Sequence, residues 1–529
     1  MPQSLKEYDV SESFGFLSDD VPLKRLEDEY YEPWELIISD FVNYQLSGRF
    51  REKILELPIL SLDRLKTLPN YKRAYTALSF MVNGYVWCLH EKPEERLPKS
   101  LAIPFSQISE YFDISPITTN AAVVLWNWKT LDKRDDMMNL NNLATIFSFT
   151  GSPDEAWFYL VSTAIECRGG EAIKCSRKIL NSIHNNNPDG IIEGIDGLSG
   201  VIKDFIKLLS RMYERNDPHM FYWKTRPYLA GWENMESAGL KNGVLYEGTY
   251  ELDTTKDAAS QHEQEMKHYK KLSGGSAAQS SILQVIDIIL GIRHYNDDDT
   301  DEQNGTETVK APGNPYLLRM RDYMPGQHRK FLIDLERVCK LREYVIVNTI
   351  DVSNVNNEKF SESIEVLDNI NESKTTKGQF SKEKQKELLK SYNKCVSTLK
   401  AFRDSHITLV RTYIVDPAIK SRNSTPAVSP KIPAKPPIDF EAETNKSVEQ
   451  NGIKPETNGI HLNGKESDLK PLNGTDRAKS EPKAQNNRSF EHGLAKVVED
   501  NETVLGTGGT DAIGFLKKIR DETTESRLK

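Results

Sequence analysis

Apolar residues recur at three- and four-residue spacing from about residue 34 to 416, while strand-like alternation is scarce. This periodicity predicts a helical protein. Residues 71–90 place Ala74, Leu78, Phe80, Met81, Tyr85 and Trp87 in a mostly buried helix. Ser152-Pro153-Asp154-Glu155 reads as a helix start, with Ser152 as N-cap, Pro153 at the first helical position and Glu155 completing a capping box. That helix presents Phe158, Ser162 and Ile165 along one stripe and is expected to end before Gly169-Gly170. From Lys382 to Asp416 there is neither Pro nor Gly, so a second long helix is expected to stop at Pro417. Leu399, Phe402, His406, Leu409 and Tyr413 share one face of it.

The stretch Gly274-Gly275-Ser276-Ala277-Ala278-Gln279-Ser280-Ser281 breaks the pattern. It is small and polar and opens onto the apolar run Ile282–Leu290. The two glycines allow a close backbone approach, and Ser276 is placed to cap the helix that follows. Asp287 lies inside the apolar run, where an unpaired charge is costly. The stretch therefore predicts a large group against the helix start and a basic partner for Asp287.

Residues 297–314 read as an acidic loop, and residues 253–273 as a charged excursion. From Pro417 the composition shifts: residues 418–500 are rich in Pro, Asn, Ser, Lys and Glu with few aromatics, which predicts a disordered insertion. Order signals return at Gly506–Asp511, followed by a short amphipathic helix, Ala512–Arg520. That tail is either a flap returning to the body or a frayed terminus.

The 529 residues are enough for two or three domains. A net charge of −9 argues against nucleic acid as a partner. Five cysteines without metal-ligand spacing read as reduced thiols. The N-terminus shows no signal core, and no apolar run reaches the roughly 20 residues that span a bilayer. The expectation is a cytoplasmic protein with no membrane association.

None of the ten histidines sits in a zinc-protease or haem-attachment spacing. His406 stands apart because it lies within an apolar stripe. It is either a satisfied core histidine or a neutral imidazole facing a large planar cavity, which is how a haem is held in globins and peroxidases. Arg403, three residues back, needs a carboxylate, and Asp287 or a haem propionate would supply one. Ser162 either bonds the carbonyl four residues back or serves a ligand. Arg226, among Phe221, Tyr222, Trp223, Tyr228 and Trp232, either stacks or grips a substrate carboxylate.

Taken together, these segments resemble the indoleamine 2,3-dioxygenase family, in its fungal type. The matching stretches include Arg73-Ala74, Asn127-Trp128, Phe158–Ser162, Arg226–Trp232, Leu245–Gly248, Gly274–Ser281, Tyr323–Arg329, Arg403–His406 and Gly506–Asp511. They cover most of residues 50–420 and the tail at 506–529.

The resemblance implies an all-α, two-domain haem dioxygenase fold. Residues 1–147 would form a small helical domain with room for a short β element. Residues 148–417 would form the haem-binding catalytic domain, 418–500 the insertion, and 501–529 a glycine-rich loop and C-terminal helix. It implies cleavage of the indole C2–C3 bond of L-tryptophan by O2 to N-formylkynurenine, the entry to the kynurenine route toward NAD, in a monomer. His406 matches the proximal ligand of haem b iron, with Arg403 and Asp287 in a polar network beside it. Gly275, Ser276 and Ala277 match the wall over the haem edge. Ser162 matches a distal hydroxyl, Phe158 and Phe221 the rings around the indole, and Arg226 the carboxylate clamp. Thr507 matches the threonine of a mobile loop that closes on substrate.

Three positions depart from the family pattern. Asn120 and Val123 stand where better-known members carry tyrosine and cysteine, and Tyr159 replaces a common phenylalanine. The first two line the distal pocket by analogy. They leave a low-activity paralogue, or a non-catalytic O2-binding or haem-sensing relative, as the alternative.

Overall fold

The computed structural model describes residues 4–17, 19–132, 139–295, 314–349, 380–423, 506–507, 511 and 513–528. Among them helices dominate, and the five strands are two or three residues long. Helix Leu68–Val86 runs through the core: from Lys72 to Val86 every residue is buried, which is the mark of a central helix. Thr67 and Asn70 form a reciprocal capping box at its start. On it Arg73 meets the buried Glu35 at 2.6 Å and lies 4.1 Å over the ring of Phe147.

Helix Pro153–His184 begins at Ser152, whose hydroxyl accepts the Asp154 N–H. The capping box with Glu155 does not form. The preceding loop folds back, so the buried Glu155 carboxylate accepts the Phe149 and Thr150 N–H groups at 2.6 and 2.7 Å, and Ser152 N–H donates to the Thr150 hydroxyl. The helix also runs straight through Gly169-Gly170, contrary to the expected stop. These glycines serve packing. A Cβ on Gly170 would lie 2.2 Å from the Ser13 carbonyl oxygen, and one on Gly169 2.6 Å from Ile282 Cγ1.

Pro188–Ser210 packs between this helix and the long helix Lys382–Val410. The latter does not end at Pro417. A π turn, Arg411–Val415, is followed by helix Asp416–Asn423 with Pro417 in its first turn. The wider turn takes up a proline that would clash in an unbroken helix. Residues 418–423 of the expected insertion are thus helical, and 424–500 lie outside the described residues, as does the acidic loop apart from Asn314.

The 253–273 excursion is ordered. It holds helix Ala258–Met266 and strand Tyr269–Lys270. That strand pairs antiparallel with Val244–Tyr246, which pairs parallel with Arg96–Leu97. Arg96 pins the layer to Glu247 and Glu265 at 2.8 and 3.0 Å. A two-stranded pair joins Trp128–Thr130 to Leu143–Thr145.

The tail returns to the body, as the flap reading expected. Its helix spans Gly514–Glu525, somewhat later than Ala512–Arg520, and packs on Lys382–Val410. Leu528 and Asn393 exchange two hydrogen bonds at 2.7 and 2.8 Å. No helix among the described residues is long and apolar enough to cross a membrane.

Gly170→Ala should lose about 1–3 kcal/mol of stability, as overpacked cores do, because the opposing atom is backbone. Thermal unfolding checks this: a lowered midpoint is expected, and an unchanged one would place Ser13 elsewhere.

Candidate active site

Seven segments far apart in sequence enclose a largely apolar cavity of about 290 Å³. This is near the lower end for small-molecule sites. Its wall includes Asn120 and Val123, Phe158 and Ser162, Phe221, Gly275–Ala277, Asp287, Arg403 and His406, and Thr507. Ten of the eleven site residues named from the sequence, together with Asn120 and Val123, therefore meet at one place; Arg226 does not.

His406 projects from the middle of the Lys382–Val410 helix. It keeps some accessible surface, but that surface belongs to the cavity, and protein surrounds the ring. Burial, with a smaller push from Arg403, lowers its pKa to about 4, so the imidazole is neutral at ordinary pH. No hydrogen bond to the ring is present among the described residues. His328 contrasts with it. It is fully buried away from the cavity, packs on Phe16 at 4.8 Å and contacts the Asp9 carbonyl at 3.3 Å.

Asp287 finds the basic partner that its setting demanded. Arg403 Nη2 lies 2.6 and 2.7 Å from its two carboxylate oxygens. Burial alone would raise the Asp287 pKa, but Arg403 and His294 outweigh it and hold the carboxyl below 3.8. Two further residues, missed from sequence, join this pair. His294 Nε2 lies 3.4 Å from Asp287, and His294 Nδ1 lies 2.6 Å from Glu522 on the C-terminal helix.

The glycine–serine stretch serves two purposes. Gly274 meets the chain itself: a Cβ there would lie 2.2 Å from the Leu229 carbonyl oxygen. Gly275 is less crowded: a Cβ there would lie 3.7 Å from the Thr118 carbonyl oxygen, an ordinary contact. Ser276 caps only the single 3-10 turn Ala277–Gln279, while the helix proper starts at Ser281 with Ser280 as N-cap. Thr507 lies on this stretch: its hydroxyl donates to Gly275 O at 2.6 Å, and its carbonyl accepts from Gly274 N at 3.2 Å.

Phe158 and Phe221 meet with ring centroids 4.7 Å apart. The Ser162 hydroxyl donates to the Phe158 carbonyl at 3.1 Å, the helix-interior bond, while still lining the cavity. Its oxygen retains acceptor capacity. Arg226 is fully buried outside the cavity wall, with its guanidinium 5.3 Å over the Tyr222 ring. This is the stacking arrangement. Burial lowers its pKa to about 10, so it remains charged at neutral pH. Tyr159 is likewise buried outside the wall.

Glu166 was also missed. It lies four residues after Ser162 and eight after Phe158, so helical spacing alone could have placed it on the cavity side. Burial pushes its pKa up to about 7, against a bond from the Ser280 hydroxyl. At Asn120, the backbone N–H donates to Gln279 at 3.0 Å, and the side-chain Nδ2 is buried with no hydrogen-bond partner.

The indoleamine 2,3-dioxygenase family model matches residues 4–526. The chain belongs to the indoleamine 2,3-dioxygenase family. It is 31% identical to indoleamine 2,3-dioxygenase of Saccharomyces cerevisiae, over 98% of this chain and 92% of the yeast protein. It is 31% identical to human indoleamine 2,3-dioxygenase 2, over 100% of this chain and 96% of the human one. A 6-hydroxytryptophan 2,3-dioxygenase of Fusarium equiseti is 32% identical, over 78% of this chain and 86% of that protein. Membership makes this chain an oxidoreductase of the dioxygenase type, with the helical fold described above.

Proposed function

We propose that this indoleamine 2,3-dioxygenase family member oxidises L-tryptophan with O2 to N-formylkynurenine, using a haem seated against His406. The observation that carries this reading is the neutral, unpartnered His406 imidazole in the wall of an apolar cavity. Among the described residues, no cluster of three or more His, Cys, Asp or Glu side chains could hold an ion. An iron held by one imidazole must bring its other ligands with it, as a haem does. The residues present fit such a group. His406 offers a free imidazole nitrogen, Gly275 leaves room in the wall, and Arg403, its charge met by Asp287, lines the same cavity.

When bound, the haem would supply the activation of O2. Both oxygen atoms enter the product, and the balance requires no net proton or electron from the protein. The chain's work is therefore placement and dryness. Phe158 and Phe221 would flank the indole. The Ser162 hydroxyl, already donating to Phe158 O, has its lone pairs left to orient a donor on the substrate. Thr507, seated on Gly274-Gly275, would close the cavity against water. Arg226 would grip the substrate carboxylate only after the 221–229 segment turns its guanidinium inward from Tyr222.

Turnover under ¹⁸O2 tests the reading. Both labelled atoms should appear in N-formylkynurenine by mass spectrometry. A haem-replete protein that holds O2 stably and releases no product would favour an oxygen-binding relative instead.

A second reading concerns the substrate ring and rests on Asn120. A buried amide without a partner costs about 1–3 kcal/mol unless a ligand supplies the bond. A hydroxyl on the indole's benzene ring is such a ligand group, and the Fusarium relative is named for a ring-hydroxylated tryptophan. Asn120→Val should lower kcat/KM for a ring-hydroxylated tryptophan at least about tenfold relative to tryptophan. An unchanged ratio across the ring-hydroxyl isomers would remove this reading.

A further inference from the structure

The C-terminal helix does more than cover the cavity. Arg403 bonds Asp287 through Nη2, and its Nη1 donates to the Ile519 carbonyl at 3.2 Å and to the Thr523 hydroxyl. Glu522, next to Thr523, bonds His294 at 2.6 Å, and His294 reaches back to Asp287 at 3.4 Å. The contacts close a ring: Asp287, Arg403, one turn of the C-terminal helix, Glu522, His294 and Asp287 again. The Glu522 carboxylate also accepts the Tyr295 N–H at 3.1 Å, which fixes the backbone beside His294. Side-chain exposures are 14% at Asp287, 13% at Arg403, 8% at His294 and 9% at Glu522, so water screens these contacts little. In such a ring Arg403 cannot rotate without breaking bonds to the C-terminal helix, nor Asp287 without breaking its bonds to Arg403 and His294.

We propose that His294 and Glu522 are positioning residues of the active site: through them the C-terminal helix fixes Asp287 and Arg403 and sets the charge presented to the cavity. The inference rests on the haem reading above, because that charge would act on the group His406 holds.

The charge balance explains how. The groups facing His294 are Asp287 on the Ser281–Leu290 helix, Glu522 on the C-terminal helix and Arg403 on the Lys382–Val410 helix. With His294 protonated, two cations meet two carboxylates and the ring is neutral. Loss of that proton leaves one net negative charge beside the cavity. Burial by itself lowers the His294 pKa, and the bonds to Asp287 and Glu522 outweigh it and raise the pKa above 6.5. The ring's contribution to stability from His294 is therefore complete below pH 6.5 and is lost as pH rises through the raised value. The Asp287 contribution runs the other way: it is present above the ordinary carboxyl range and lost in acid.

The test is the midpoint potential of the haem-loaded protein, measured from about pH 6 to about pH 9, the range in which a raised histidine titrates. The potential of the unaltered chain should fall as pH rises, since added negative charge favours the oxidised iron. His294→Gln keeps the shape and a donor but cannot titrate, and should abolish the fall. Glu522→Gln removes one carboxylate and should move the fall to lower pH. Variants that unfold at lower temperature yet keep the original pH profile would overturn the proposal, because a purely structural role predicts that. If either variant loses the group, hydrogen exchange of residues 514–525 in the haem-free chain replaces the potential. Exchange in the unaltered chain should quicken above the His294 transition; a pH-independent rate, after correction for intrinsic exchange, would overturn the proposal. A chain that binds no haem at all refutes the functional reading, whereas a bound haem of pH-independent potential refutes only this inference.

Discussion

The buried pair Asp287–Arg403 is the interaction on which the site depends. Removing one partner from such a pair generally costs about 3–5 kcal/mol, because the other charge is left without compensation. Here the pair joins residues 116 positions apart on two helices, Ser281–Leu290 and Lys382–Val410. One carries the small-residue wall at its start, and the other carries His406 one turn after Arg403. The distance between wall and imidazole, and so the shape of the cavity, follows from this contact.

The Gly274–Ser281 stretch distributes that constraint. Gly274 locks to the Leu229–Gly231 backbone, Gln279 receives the Asn120 N–H, Ser280 bonds Glu166, and Gly274-Gly275 takes Thr507. One short segment therefore touches the substrate side, the distal helix and the closing tail. Glycine is needed at 274 because its contact with Leu229–Gly231 is backbone against backbone, whereas Gln279 and Ser280 bond through their side chains.

Helical periodicity and the charge inside an apolar run were both legible in the sequence. Each states a local cost that only one arrangement removes, and Asp287 with Arg403 is the clearest case. The misreadings arose where a local rule gave way to packing at a distance. Gly169-Gly170 has the form of a helix stop, but Ser13 and Ile282 approach there instead. Pro417 has the form of an end, but a π turn takes it up. Glu155 was drawn off its capping box by a loop that folds back. His294 and Glu522 were hidden because 228 residues separate them, and Glu522 lies beyond the Ala512–Arg520 helix that the sequence predicts. Arg226 in an aromatic setting fits both stacking and clamping by sequence, and it lies over the Tyr222 ring.

The central claim is that the cavity is built around a haem held by His406. Absorption spectroscopy of the chain reconstituted with haem, beside His406→Gly and His328→Ala, tests it most directly. The account predicts that His406→Gly loses the bound-haem spectrum, that added imidazole restores it, and that folded His328→Ala retains it. A His406→Gly protein with an unchanged spectrum, or loss of haem from a folded His328→Ala instead, would contradict the account.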